Sequence, residues 1–177
     1  LLVGGWPEGS TRLPGYRRPP TDFLAEQVLL RTVRCMTGHV DLELSCEPVF
    51  GYGRTDGRWE YDGEGYHEAA ISHGDLKLRL WSDLNLGLEG PRATARHMMK
   101  EGEQLFCALA WSEHDPPRTY EEAYDRLTWT AHHWQHWLAR GRFPDHPWRT
   151  YLERSALTLK GLTYAPTGAI IAAATTS

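Results

Sequence analysis

Apolar and polar residues alternate most cleanly over Val40 to Cys46, where Val40, Leu42, Leu44 and Cys46 are separated by Asp41, Glu43 and Ser45. A period of two predicts a strand with one buried and one wet face. Upstream, Leu1 to Pro20 reads as a short apolar strand end followed by a Gly/Pro/Arg loop, and Thr21 to Met36 as a long extended segment with the branched run VLLRTVRCM. Thr37-Gly38 is a turn signal, so the two segments predict an antiparallel hairpin. Further strands are expected at Arg58 to Tyr61, at Tyr66 to Ser72, around Leu76, Leu78 and Leu80, and at Arg92 to Lys100 after the Gly90-Pro91 break. Leu105 to Trp111 is apolar on both faces and predicts a central strand. Short strands in succession, uninterrupted by a helical period, point to an antiparallel sandwich rather than a βαβ order.

The period changes at His114-Asp115-Pro116-Pro117. Thr119 followed by Glu122 is a capping-box pattern. Tyr120, Ala123, Tyr124, Leu127, Ala131, Trp134 and Leu138 then recur at intervals of three and four, predicting a helix from Thr119 to Arg140 that Gly141 ends. Phe143-Pro144-Asp145-His146-Pro147 is a rigid link. A second helix is expected from Pro147, a residue suited to the first helical position, with Trp148, Tyr151, Leu152, Ser155, Leu159 and Leu162 as its stripe. Ala165-Pro166-Thr167-Gly168 is a turn, and small and β-branched residues lead from it as an apolar strand to Thr175-Thr176-Ser177. That strand has no closing element and Leu1 is not a methionine, so both ends read as excerpts of something longer.

Composition adds bounds. At 177 residues, 41% hydrophobic and 24% charged, the chain has the balance of a soluble globular protein. A chain of this size buries roughly 70% of its unfolded surface, so no disulfide or metal staple is required. The net charge of -4 carries no basic surplus for nucleic acid, and no apolar run reaches membrane-spanning length. Arg12, Arg17 and Arg18 lie among prolines and read as a solvated loop. Three cysteines, Cys35, Cys46 and Cys107, in apolar strand-like runs suit buried thiols in a reducing, cytoplasmic compartment.

Candidate chemistry is sparse. His132 and His136 in HHWQH are one helical turn apart, a spacing that holds zinc, but His133 stands where a zinc protease places its glutamate and no third ligand is evident. The histidines read as amphipathic residues on a Trp-rich helix, and neither metal nor cofactor is expected. Eight tryptophans suit core and interface packing or, alternatively, stacking on sugar rings. The many carboxylates lie on wet strand faces or in turns, none in a context that predicts desolvation. GxSxG, P-loop, GxGxxG and CxxC motifs are absent from the sequence.

Three stretches carry a family resemblance: FLAEQVLLRTVRCMTGHVDLELSCEPVFGYGR, EGEQLFCALAWSE and PWRTYLERSALTLKGLTYAPTGAIIAAATTS. The chain resembles bacterial glycoside hydrolase family 15 proteins, most of all the actinobacterial trehalase branch, with glucoamylase and glucodextranase as relatives. The resemblance implies a β plus α architecture: an incomplete antiparallel β-sandwich over 1–113, a helical linker over 114–146, and the start of a catalytic (α/α)6 barrel, its first helix included, over 147–177. It implies an inverting, two-glutamate glycosidase acting on a carbohydrate, trehalose or an α-glucan, through the barrel. Its catalytic residues would lie outside this chain, with Thr175, Thr176 and Ser177 leading to the pocket rim. The 177 residues alone are then expected to be inactive and prone to aggregate. The resemblance implies no nucleic-acid or membrane partner and leaves a homo-oligomer open. A non-catalytic carbohydrate-binding module is the rival reading.

Overall fold

A computed structural model describes residues 2–5, 24–53, 57–111, 115–164 and 168–174. The fold is β plus α: antiparallel sheets followed by two helices. Contacts divide the chain into two compact units, Gln27–Leu127 and a second that gathers Val3–Glu26 with Thr128–Ser177.

In the second unit, β1 (Leu2–Gly5) and β2 (Leu24–Glu26) pair in a two-stranded sheet. In the first unit, β3 (Val28–Arg34), β4 (His39–Cys46), β5 (Glu60–Tyr61), β6 (Glu68–His73), β7 (Leu76–Ser82), β8 (Gly87–Glu89), β9 (Arg92–Lys100) and β10 (Gln104–Trp111) build a sandwich. One sheet has the order β3-β10-β7-β6-β5 and the other β4-β9-β8. Phe50, Trp59, Ala69, Ile71, Leu80, Leu86, Ala93 and Ala95 form the core between them.

The long strand β10 sits between β3 and β7, with Ala108 opposite both Leu30 and Trp81. Its double apolar pattern has a direct cause. Leu105 and Leu109 pack on the inter-sheet core, while Phe106, Ala108 and Ala110 pack on the opposite face against Val28 and Ala123. Ala123 belongs to α1 (Tyr120–Ala139), whose first turns cover that face. Alanines at 108, 110 and 123 are fully buried, and their small size lets helix and sheet approach closely.

The hairpin expected between the extended segment and Val40–Cys46 does not form. β3 pairs with β10, and β4 pairs with β9 in the other sheet. The connection after β3 therefore crosses between sheets, as does the β9–β10 connection beside it. The two crossings are stitched together. The Cys35 N–H donates to the Glu103 carbonyl at 3.0 Å, the Gly102 N–H to the Cys35 carbonyl at 2.8 Å, and the Gly38 N–H to Glu101 Oε2 at 2.9 Å. Gly38 and Gly102 both take positive φ, which those bends require of residues without a Cβ. The short strand β8, not anticipated from sequence, has its turn to β9 held by Trp59, whose N–H and Nε1–H donate to the carbonyls of Gly90 and Pro91.

The helix start matches the capping pattern with one change. Thr119 Oγ1 accepts the Glu122 N–H at 3.2 Å, but Glu122 Oε2 reaches past Thr119 to the Arg118 N–H at 2.9 Å. At the other end, Gly141 does not adopt the left-handed conformation of a typical helix stop; a Cβ there would lie 2.5 Å from Phe143 Cε2. The second helix, α2 (Arg149–Gly161), begins two residues after Pro147, with Trp148 at its N-cap. No residue of α2 is buried.

Beyond α2 the chain is not the expected strand. Among the described residues it makes a single bridge, Thr163 to Ile170. Tyr164 N–H donates to the Ala169 carbonyl and Gly168 N–H to the Tyr164 carbonyl, both at 2.7 Å, with Gly168 at φ +69°. Among the described residues no neighbouring strand supplies a ladder, and the Ile171 N–H donates to the Leu162 carbonyl, turning the apolar run back on the helix end.

Ile71 is 1% exposed at the centre of the inter-sheet core. Ile71→Ala is expected to cost about 2–5 kcal/mol, read as a lower urea midpoint of the protein at an unchanged m-value.

Candidate functional site

The outer face of the five-stranded sheet carries the densest polar arrangement. On β6 and β7, Glu68, Lys77, Arg79 and Trp81 share that face, because Glu68 is in register with Trp81. Arg118 lies over the Trp81 ring at 4.7 Å from its centroid and pairs with Glu68. Arg79 pairs with Asp115 at 2.7 Å and Lys77 with Asp62 at 2.8 Å. Arg126 joins the lattice through Glu122 and the Asp115 carbonyl. These contacts lead residues 115–118 across the sheet and set the start of α1. The Lys77 ammonium holds the Asp62 carboxyl below its usual range, and the Arg118 N–H does the same for Glu122. The lattice is built of neutralised pairs, so its chemistry is structural.

Four further described carboxylates are also paired. Glu47 pairs with Arg92, Glu43 with Arg96, Glu153 with Arg149, and Glu103 with His97 at 2.6 Å. Asp62, Asp83, Glu103 and Glu122 depart from the usual carboxyl range, and none of them does so because of a second carboxylate, the pairing that acid–base glycoside cleavage needs.

Asp83 corrects the expectation that no carboxylate is desolvated. Burial in the turn after β7 raises its pKa, although Oδ2 accepts the Phe106 N–H at 2.9 Å. The Asp83 N–H donates in return to the Phe106 carbonyl at 3.2 Å, and Ser82 Oγ accepts the Leu84 N–H at 3.1 Å. Asp83 thus staples the turn to β10. The signal was hidden because Asp83 lies in a Ser-Asp-Leu-Asn turn that looks solvated from sequence.

A cavity of about 310 Å³ opens between the sheets, walled by Leu29, Val33, Leu42, Leu44, Leu105 and Leu109. Cys46 and Cys107 also line it, and burial pushes both thiols up, away from the thiolate that a nucleophile requires.

In the second unit, His132 and His136 are exposed on α1 while His133 is buried. With Trp129, Gln135 and Ala139 they line an open groove on the helix. No group of three or more metal-ligating side chains is present among the described residues. Thr175, Thr176 and Ser177 lie outside the described residues, as do Arg12, Arg17 and Arg18. Among the described residues no helix is long and apolar enough to cross a membrane. Among the described residues the geometry presents a scaffold and no assembled reaction centre.

No family model matches the chain. Similarity to individual proteins is nonetheless strong. The chain is 53% identical over 182 aligned positions to a trehalase of Mycobacterium tuberculosis and 52% identical to a trehalase of Mycolicibacterium smegmatis, in each case along its whole length. It is 26% identical over 148 positions, 83% of its length, to a trehalase of Thermoplasma volcanium. The chain spans 27% of the length of the two mycobacterial relatives and 23% of the third.

Asp83 binds its proton more tightly in the fold than in the unfolded chain. Its favourable contribution is therefore complete below the unfolded pKa of about 3.9 and is lost as pH rises through the raised folded value. Asp83→Asn keeps an acceptor for the Phe106 N–H and is expected to leave the melting temperature at neutral pH unchanged or higher. Asp83→Leu strands that N–H and is expected to cost about 1–3 kcal/mol. Thermal melts of both variants across pH 3 to pH 8, with roughly half-unit steps around the carboxyl range, check the pair.

Proposed function

We propose that this chain is the supporting segment of a trehalose-hydrolysing enzyme of glycoside hydrolase family 15. The single observation that carries the reading is 53% identity to a trehalase along the whole chain. The order of elements agrees with it, an antiparallel sandwich leading into a long helix and a second helix. In this reading 1–113 belong to the sandwich domain, 114–146 are the helical linker, and 147–177 begin an (α/α)6 catalytic barrel. The stripe of α2 supports the last assignment: Tyr151 is 73% exposed, and Leu152 and Leu159 are exposed beside it. Apolar surface of that kind suits a helix that packs against further helices.

The catalytic acid and base are two glutamates of the barrel, outside these residues. One protonates the glycosidic oxygen and the other activates water on the opposite face of the sugar. The contribution of this segment is mechanical. The ion-pair lattice around Arg118 sets the start of the linker helix, Thr175, Thr176 and Ser177 lead towards the rim of the sugar pocket, and the polypeptide works without a cofactor in a reducing, cytoplasmic compartment.

A carbohydrate-binding module would display a row of aromatic faces on one sheet. Here Trp59 is buried, Trp81 lies beneath Arg118, and Trp111 stands at the end of β10. The sheet tryptophans among the described residues form no exposed row, which favours the enzyme reading.

The test is glucose release from trehalose, maltose and dextrin by the full-length polypeptide, followed by NMR of the anomers. Trehalose is expected to be the preferred substrate. Inversion at one of its two α-linked sugars yields α- and β-glucose in equal initial amounts, whereas retention yields the α anomer alone. Preference for maltose or dextrin would move the assignment to an α-glucan hydrolase. Cleavage of trehalose by residues 1–177 alone would refute the placement of catalysis elsewhere.

A further inference from the structure

Helix α1 passes out of the Gln27–Leu127 unit in mid-course, since Thr128 and the residues after it belong to the other unit. Its hold on the five-stranded sheet therefore rests on its first two turns. The apolar part of that hold is small. Ala123 is fully buried with Val28, Phe106, Ala108 and Ala110, and Tyr120 packs beside it, while Tyr124 and Leu127 are exposed. A methyl group at the point of closest approach makes few contacts and resists tilting weakly, so Ala123 acts as a pivot.

Charge supplies the rest. Arg118 lies over Trp81 and pairs with Glu68 of β6. Its N–H donates to Glu122 Oε2, and Glu122 Oε1 accepts from Arg126 Nη2 at 2.6 Å. Arg126 Nη1 donates to the Asp115 carbonyl at 3.0 Å, and the Asp115 carboxylate pairs with Arg79 of β7 at 2.7 Å. The path leaves the sheet at Glu68, climbs one side of the helix through Glu122 and Arg126, and returns to the sheet at Arg79. Pro116 and Pro117, both fully buried, stiffen the segment between its ends. A circuit with both feet on one sheet face resists rotation of the helix about Ala123, which no single pair in it could do.

We propose that this circuit is a salt-sensitive latch on the direction of α1, and that Arg118 is a positioning residue of the trehalose-cleaving enzyme, acting through the helix on the residues that follow it. This rests on the reading that those residues lead into a catalytic barrel. Leverage gives the latch its effect. Ala139 is sixteen residues beyond Ala123, about 24 Å along the axis, so a tilt of about 5° at the pivot displaces the helix end by roughly 2 Å. A misplacement of about 1 Å far from the chemistry is enough to lower a rate by about two orders of magnitude. Stability is affected far less, because each partly exposed pair is worth little on its own. Salt screens the same pairs, whereas trehalose, maltose and dextrin carry no charge, so a salt effect on their turnover arises in the protein.

The experiment uses the full-length protein, as wild type and with Arg118→Ala, Arg118→Lys or Glu68→Gln. Initial rates on trehalose, maltose and dextrin are measured as sodium chloride rises from about 0.1 M to about 1 M, which shortens the screening length from about 10 Å to about 3 Å. Hydrogen exchange over residues 118–127 is followed in the same solutions. Arg118→Ala and Glu68→Gln are expected to lower kcat at least ~5-fold at low salt, with KM within about two-fold. They are expected to speed exchange at the helix start by a similar factor and to leave the melting temperature within about 2 °C. Arg118→Lys keeps a cation over Trp81 and opposite Glu68 and is expected to retain most of the wild-type rate. Salt is expected to lower the wild-type rate and to leave that of Arg118→Ala unchanged. Exchange unaltered by Arg118→Ala overturns the latch. Faster exchange with unchanged kcat, or a salt effect as large in Arg118→Ala as in wild type, overturns the positioning role. Wild-type protein that cleaves none of the three sugars refutes the enzyme reading instead, and the exchange measurement still decides the latch.

Discussion

The Gln27–Leu127 unit is organised around a strand that packs apolar residues on both faces. β10 gives Leu105 and Leu109 to the space between the sheets and Phe106, Ala108 and Ala110 to the helix side. Its backbone is paired along both edges, with β3 and β7. In a strand apolar on both faces, a slip by one residue would set the wrong side chains against two layers at once. The turn after β7 is tied to the same strand through Asp83 and Phe106, and the crossing connections at Cys35 and Gly102 begin where it begins. Sandwich, corner and helix docking thus share one axis.

Charged residues are used here mainly to guide the chain. Arg118 lies on Trp81, pairs with Glu68 and gives its N–H to Glu122, so one residue joins the sheet to the first turn of the helix. These groups are partly exposed, and each pair taken alone is worth little. Their value lies in being joined, since Asp115, Arg126 and Glu122 hold the same short segment. A scaffold of this type fixes where the helix starts and in which direction it leaves the sheet.

Much of this architecture was legible along the chain. The alternation of Val40 to Cys46 marked β4, the double apolar run marked β10 as central, and Thr119 with Glu122 marked the helix start to within a residue. The misreadings share a cause. The hairpin between β3 and β4 was suggested by a short turn, yet Thr37-Gly38 is equally able to carry the chain from one sheet to the other. Short-range signals specify that the chain bends, and long-range pairing specifies which strand it meets. Asp83 escaped notice for the same reason, because its burial is created by β10, more than twenty residues away. The candidate site was less legible: no described residue forms a reaction centre, and the best evidence for function is similarity to longer proteins.

The sequence by itself determined the class, since the periods of two and 3.6 in successive stretches are properties of local side-chain direction. It also determined the start of the long helix, where capping depends on residues a few positions apart. Only the tertiary structure decided how the strands divide between five and three, which thiols share a cavity, and that Leu29 faces inward yet remains half uncovered. Those are questions of partner and layer. Burial is a relation between distant segments, and alternation along one strand specifies that a face is apolar without specifying what covers it.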